Sequence, residues 1–201
     1  MRSQALISHV DITPSLLDFA NGLDKKVNGP KKWISPKAFW KGKDYVARVN
    51  RNGGNQFRSY HGKSWLPILA QPDSSNHKVI YASHTFHEIQ MYYPMRALRD
   101  RDYKIIWNIA HQLPYPFASD LWIASSWQAQ LAKGKDAPYG LKSVEEYIQR
   151  PAFELYDIKK DPDEARNLAQ EPEYKQILER YKSKLKAFQK EMHDPWISKW
   201  D

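Results

Sequence analysis

Seven apolar residues, Tyr174, Ile177, Leu178, Tyr181, Leu185, Phe188 and Met192, recur at i, i+3, i+4, i+7, i+11, i+14 and i+18. That period marks one face of an α-helix of roughly five turns. Lys, Glu and Gln fill the opposite face. A helix divided in this way buries one side and wets the other, so it must lie on an apolar sheet. The chain supplies strands for it. Residues 78–84 read as one strand, and 95–99 and 103–109 read as a hairpin turning at Asp100-Arg101-Asp102. Phe153-Glu154-Leu155-Tyr156-Asp157 reads as a fourth, followed by a turn signal at Asp161-Pro162-Asp163-Glu164. Four strands and one long helix predict an α+β layer, a small four-stranded antiparallel sheet packed by a long C-terminal helix.

Before the strands the pattern differs. Residues 11–22 read as a helix, with Thr13 as N-cap, Pro14 at the first helical position and Gly22 just beyond the last turn. Its stripe of Ile12, Leu16, Leu17, Phe19 and Ala20 predicts packing on something larger. Residues 23–64 have poor periodicity and many Lys, Arg, Asn and Gly, which predicts a long loop with one short helix near 36–41. The segment 62–69 reads as a short apolar anchor. At 201 residues there is room for one domain or one and a half. There is no Cys, which excludes disulfides, Cys-ligated zinc, iron–sulfur clusters and a thiol nucleophile in these residues. No run approaches the length of a membrane span, and the first residues do not read as a secretory signal.

The densest titratable set is His84-Thr85-Phe86-His87-Glu88. On a helix His84, His87 and Glu88 would share a face; on a strand His84 and Glu88 would share one and His87 would point away. Two His and a Glu can bind zinc or move protons, but the order is not that of the zinc proteases and no third ligand group stands out. Spacing alone favours polar residues at a strand end. Arg96, in Tyr93-Pro94-Met95-Arg96, can grip a sulfate, phosphate or carboxylate, or simply be a core-edge residue. The Pro- and aromatic-rich segments 111–117 and 193–196 can cover a site or close a core edge. The net charge of +8 and the basic, aromatic-bearing segment 25–65 allow a polyanion surface, yet no nucleic-acid-binding signature is present. No Gly-rich phosphate loop and no nucleophile elbow occur either.

Several segments taken together resemble the C-terminal part of a sulfatase. Ser8-His9-Val10-Asp11-Ile12-Thr13-Pro14-Ser15-Leu16-Leu17-Asp18 is similar to the family's Asp-hydrophobic-x-Pro-Thr helix. Gly62-Lys63-Ser64-Trp65-Leu66-Pro67-Ile68-Leu69 resembles its Gly-x-Ser-Leu-x-Pro-Leu-Leu segment. The run from Glu154 to Ala169 resembles its Glu-Leu-Tyr-Asp-x-x-x-Asp-Pro-x-Glu-x-x-Asn-Leu-Ala. His87-Glu88, Met91 to Arg96, Leu113-Pro114-Tyr115-Pro116 and His193-Asp194-Pro195-Trp196 resemble the heparan N-sulfatase branch. The resemblance implies the end of an alkaline-phosphatase-like large domain at 1–77, with a basic insertion at about 24–60, and a C-terminal α+β subdomain at 78–201.

The resemblance also implies calcium and a formylglycine in the full-length protein, and a substrate that is a sulfated, glucosamine-containing glycan. It implies a periplasmic, secreted or lysosomal location. The formylglycine arises from Cys or Ser two residues before Pro, and neither pattern occurs here; Tyr60-His61-Gly62 is not the family's Asp-His-Gly. No nucleophile and no calcium ligand therefore carries over. His84, His87, Glu88 and Arg96 carry over as substrate-side residues at a pocket rim. The missing partner is an N-terminal catalytic domain, and without it the helix at 13–21 is expected to leave an apolar patch that promotes self-association. The alternative is a non-catalytic module that holds acidic polysaccharide through 25–65.

Overall fold

The computed structural model describes residues 3, 5–26, 28–30, 59–72, 74–88 and 91–200, in two units that divide between Lys78 and Val79. The short helix expected near 36–41, and most of the basic insertion, lie outside the described residues.

The first unit is organised by Asp11, which is fully buried. A buried carboxylate must be compensated by donors. Here it accepts the N–H groups of Ser8 at 2.9 Å and Lys63 at 2.7 Å, and His77 Nε2 lies 2.8 Å away. A 3₁₀ turn, His9–Asp11, runs straight into helix α1, Ile12–Phe19. Thr13 therefore sits inside the helix and does not cap it. Pro14 falls in the first turn, where its missing N–H costs nothing. The residue in the left-handed conformation after α1 is Asn21 (φ 55°), not Gly22.

Two of the quoted motifs lock into one another in this unit. Ser15 Oγ donates to the Asp11 carbonyl at 2.6 Å and accepts the Trp65 N–H at 3.0 Å. Ser64 Oγ donates to Asp18 Oδ2 at 2.7 Å, just before the short helix α2, Leu66–Ala70. Gly62 has to be glycine, because a Cβ there would meet the Val10 carbonyl oxygen at 2.0 Å. A two-residue ladder, β1 (Leu23–Asp24) with β2 (Gly29–Pro30), completes the unit. Ile12, Leu16 and Phe19 of α1 point outward, at 49%, 61% and 81% exposure.

The second unit is the expected α+β layer. Strands β3 (Ile80–His87), β4 (Met91–Arg99), β5 (Tyr103–Asn108) and β8 (Phe153–Asp157) form one antiparallel sheet in that order. Between β5 and β8 the chain makes helices α3 (Ser119–Ile123) and α4 (Ser125–Leu131), hairpin β6 (Pro138–Tyr139) with β7 (Lys142–Ser143), and helix α5 (Val144–Ile148). Helix α6, Lys175–Glu191, covers one sheet face. Leu98, Ile105 and Leu155 are completely buried beneath Tyr181 and Leu185. Tyr81 stacks on Phe188 at 3.6 Å between ring centroids. Tyr181 also donates its hydroxyl to Asp100, whose other oxygen accepts the N–H groups of Asp102 and Tyr103 at 2.9 Å. The hairpin turn and the helix thus share one carboxylate. A separate cluster, Trp127, Ala137 and Val144 ringed by Phe117, Tyr139 and Tyr147, forms from the short elements between β5 and β8.

The third quoted motif closes the sheet edge at β8. Asn167 Oδ1 accepts the Leu155 N–H at 2.9 Å, Asn167 Nδ2 donates to the Phe153 carbonyl at 3.2 Å, and Leu168 N–H donates to the Leu155 carbonyl at 2.8 Å. A side-chain amide here takes the place of a fifth strand, which protects an otherwise open edge. Asp161 holds the preceding turn by accepting the N–H groups of Ala165 and Arg166.

Two outcomes follow. Asn167→Ala orphans a buried N–H on Leu155, so urea unfolding should show a loss of about 1–3 kcal/mol. Gly62→Ala should abolish hydrogen-exchange protection of the Lys63 and Trp65 amides while those of Leu98 and Ile105 keep theirs.

Candidate functional site

A proline in an inner strand removes a ladder donor, and β4 answers with an irregularity. His84 pairs with Met95 but Phe86 pairs with Tyr92, so β4 carries an extra residue around Tyr93-Pro94. The Tyr93 carbonyl, freed from the ladder, accepts a bond from His84 Nδ1 at 3.0 Å. A carbonyl can only accept, so Nδ1 carries a proton and donates it, which leaves Nε2 to face the cleft's other partners.

His84 and His87 both line a cleft of about 340 Å³, with Met91, Tyr115, Phe117 and Tyr147 among its walls. Simple strand alternation would have set His87 on the far face; the register shift at 84–86 intervenes. Tyr93 is buried beside this cleft, with its ring edge-on to Tyr115 at 5.1 Å, and burial pushes its hydroxyl up to about 12. Arg150 lies 3.6 Å from the Tyr115 centroid and 5.2 Å from that of Tyr147, which fixes both rings. Glu88 follows the strand in a left-handed turn at φ 56°.

Arg96 lies on the other sheet face, since it pairs with Trp107 and shares the parity of Leu98. Its guanidinium is buried and engaged. Nε and Nη2 donate to the Asp194 carboxylate at 2.5 and 3.1 Å, and Nη1 donates to the carbonyls of His84 at 3.0 Å and Met95 at 2.8 Å. Trp196 covers it at 5.0 Å. Of the four residues singled out in the sequence, His84 and His87 share the cleft, and Arg96 holds the His84 backbone from behind. Asp194, Tyr147 and Arg150 are the residues that spacing did not reveal. Asp194 sits in a run already noticed for its Pro and Trp. Tyr147 comes from a one-turn helix too short to leave a periodic signal, and Arg150 lies two residues beyond it.

A polar network lies on the cleft's side of the sheet. Buried Glu154 accepts from Tyr156, from Asn108 Nδ2 at 2.7 Å and from Lys142 at 3.5 Å. Burial alone raises the Glu154 carboxyl, but the bonds from Tyr156 and Asn108, with the charges of Lys142 and Arg150, bring it below the usual range. For Asp194 burial likewise raises the carboxyl, and the Arg96 bond with the Trp196 N–H and Gln189 brings it down. Among the described residues no three His, Asp or Glu side chains converge to hold a metal ion. No site among the described residues fits calcium, and the sequence holds no Cys and no Ser two positions before Pro from which a formylglycine arises.

No protein-family model matches the sequence. Among curated proteins, the chain is 30% identical over 198 residues to human N-sulphoglucosamine sulphohydrolase, covering 97% of this chain and 34% of that protein. It is 28% identical over 131 residues to an ulvan-active sulfatase of Formosa agariphila, covering 64% of this chain and 24% of that one. A solved 2-O GAG sulfatase superposes with a TM-score of 0.44 at 19% identity, over 76% of this chain and 25% of its own. By sequence the chain is similar to the sulfatases. The particular protein it matches along nearly all its length is N-sulphoglucosamine sulphohydrolase, in that protein's C-terminal portion. The chain spans about a third of the length of that relative.

The lowered carboxyls set a pH dependence. A carboxyl depressed in the folded state stabilises at neutral pH, above its unfolded value, and that stabilisation is lost as pH falls through the folded value. Glu154→Gln should therefore flatten the fall in melting temperature between about pH 5 and pH 3. Asp194→Ala leaves Arg96 buried and unpaired, and thermal melts at pH 7 should show a loss of about 3 kcal/mol.

Proposed function

We propose that this chain is the C-terminal portion of a sulfatase resembling N-sulphoglucosamine sulphohydrolase, acting on sulfated glucosamine in a heparan-type glycan. The observation that carries this reading is the 30% identity to N-sulphoglucosamine sulphohydrolase over 97% of the chain. The nucleophile and the metal carboxylates belong to an N-terminal large domain, since these residues contain no Cys and no Ser two positions before Pro. The outward stripe of Ile12, Leu16 and Phe19 is suited to bury against that domain. The compartment is an exported or lysosomal one by family resemblance; among the described residues no helix is long and apolar enough to cross a membrane.

In this reading the His84–His87 cleft forms one wall of the substrate pocket. Tyr115, Phe117 and Tyr147 offer ring faces to a sugar, and the histidines offer hydrogen bonds or, when protonated, charge to a sulfate. Arg96 and Asp194 are positioning residues, which act by holding the His84 carbonyl. Glu88 stands at the rim.

The test has two arms. The 201-residue chain alone, with calcium, should release no sulfate from N-sulphoglucosamine; measurable release would overturn the division of labour. Supplied with a large domain carrying Cys-x-Pro-Ser-x-Arg and the Asp pair, it should support calcium-dependent release. In that complex His84→Ala should raise KM more than it lowers kcat, and an unchanged KM would remove the cleft from the substrate site.

A further inference from the structure

One flank of α6 carries Lys175, Lys182, Lys186 and Lys190 in one stripe, beside the seam of buried Tyr181 and Leu185, with Lys182 half-buried at the sheet edge. At helical rise the stripe runs for about 22 Å. Glu179 is the one acid within it, bonded to Lys182 at 2.8 Å. Lys182, Lys186 and Lys190 stand four residues apart, and like charges at that spacing repel and weaken a helix. A merely solvated face usually alternates signs at this spacing. The helix thus carries a line of like charges along one flank. Beneath it lie rings: Phe153 is 4.8 Å from the Lys182 ammonium and Trp200 is 5.9 Å from that of Lys186, with the two rings stacked at 5.9 Å. Ammonium groups in a row beside aromatic faces match a linear anionic sugar chain, whose sulfates meet the charges and whose rings meet the aromatics.

We infer that the lysine flank of α6 is a second glycan-binding surface, which holds the internal stretch of a polysulfated polysaccharide. It is separate from the cleft, because α6 covers one sheet face and His84, paired with Met95, belongs to the other. The choice of a sulfated glycan rests on the proposed function; the stripe itself rests on charge and geometry.

The test uses the full chain and a labelled N-sulfated heparan octasaccharide, read by fluorescence anisotropy over a salt series. Replacing the four lysines by Gln should weaken binding about tenfold and flatten its salt dependence. The same four as Arg should keep it. A charge-matched control at Lys133, Lys135, Lys159 and Lys160 should stay within about twofold. Unchanged binding in the Gln variant, or equal loss in the control or in a Gln variant of the lysines at 25–43, would overturn the inference. So would single-stranded DNA or phosphatidylserine vesicles binding through the same four lysines as tightly as the octasaccharide. N-sulphoglucosamine itself is too short to span the stripe. Its binding, and the effect of His84→Ala on it, read the cleft alone, so failure of either site is seen separately.

Discussion

The second unit depends on one-sided burial. Its long helix has an apolar stripe and a basic back, so it is stable only where the sheet removes the stripe from water. Leu98, Ile105 and Leu155 reach zero exposure because Tyr181 and Leu185 lie on them. The polar features on this face are set by that contact. Tyr181 reaches the Asp100 carboxylate at the hairpin turn, and Gln189 reaches Asp194 at 3.1 Å beside Arg96. Remove the apolar seam and neither bond has a reason to be in place.

The motifs that tie this chain to the sulfatases have one physical theme. They place polar side chains where backbone would otherwise go unpaired. Asp11 and Ser15 collect N–H groups from residues fifty positions away, and Gly62 leaves the room they need. Asn167 completes a strand edge. Such residues are hard to replace because each satisfies two or three buried groups at once.

The sheet and the long helix were legible because their periodicities are long: five or more strand residues, and seventeen in the helix. The strands 78–84 and 95–99 run further than their alternation suggests, to His87 and from Met91, since backbone pairing continues past the apolar run. The elements between 118 and 150 left no trace, being five to seven residues in each helix and two in each strand. The pairing of Arg96 with Asp194 was invisible for a different reason. Each residue stood out alone, but only the tertiary fold brings the β4 strand to the turn beyond α6. Thr13 shows the opposite error, a good capping residue overruled by a 3₁₀ turn that starts the helix earlier.

That same ion pair joins residues 98 positions apart. Closing so long a segment costs entropy before any contact repays it. During synthesis β4 emerges well before Asp194 exists, and until then the Arg96 guanidinium is held only by carbonyls of its own hairpin. The strand pair that shapes the cleft can form early, yet its buried cation is neutralised last. The histidine side of the sheet is thus fixed in its final form by the part of the chain made after everything it touches.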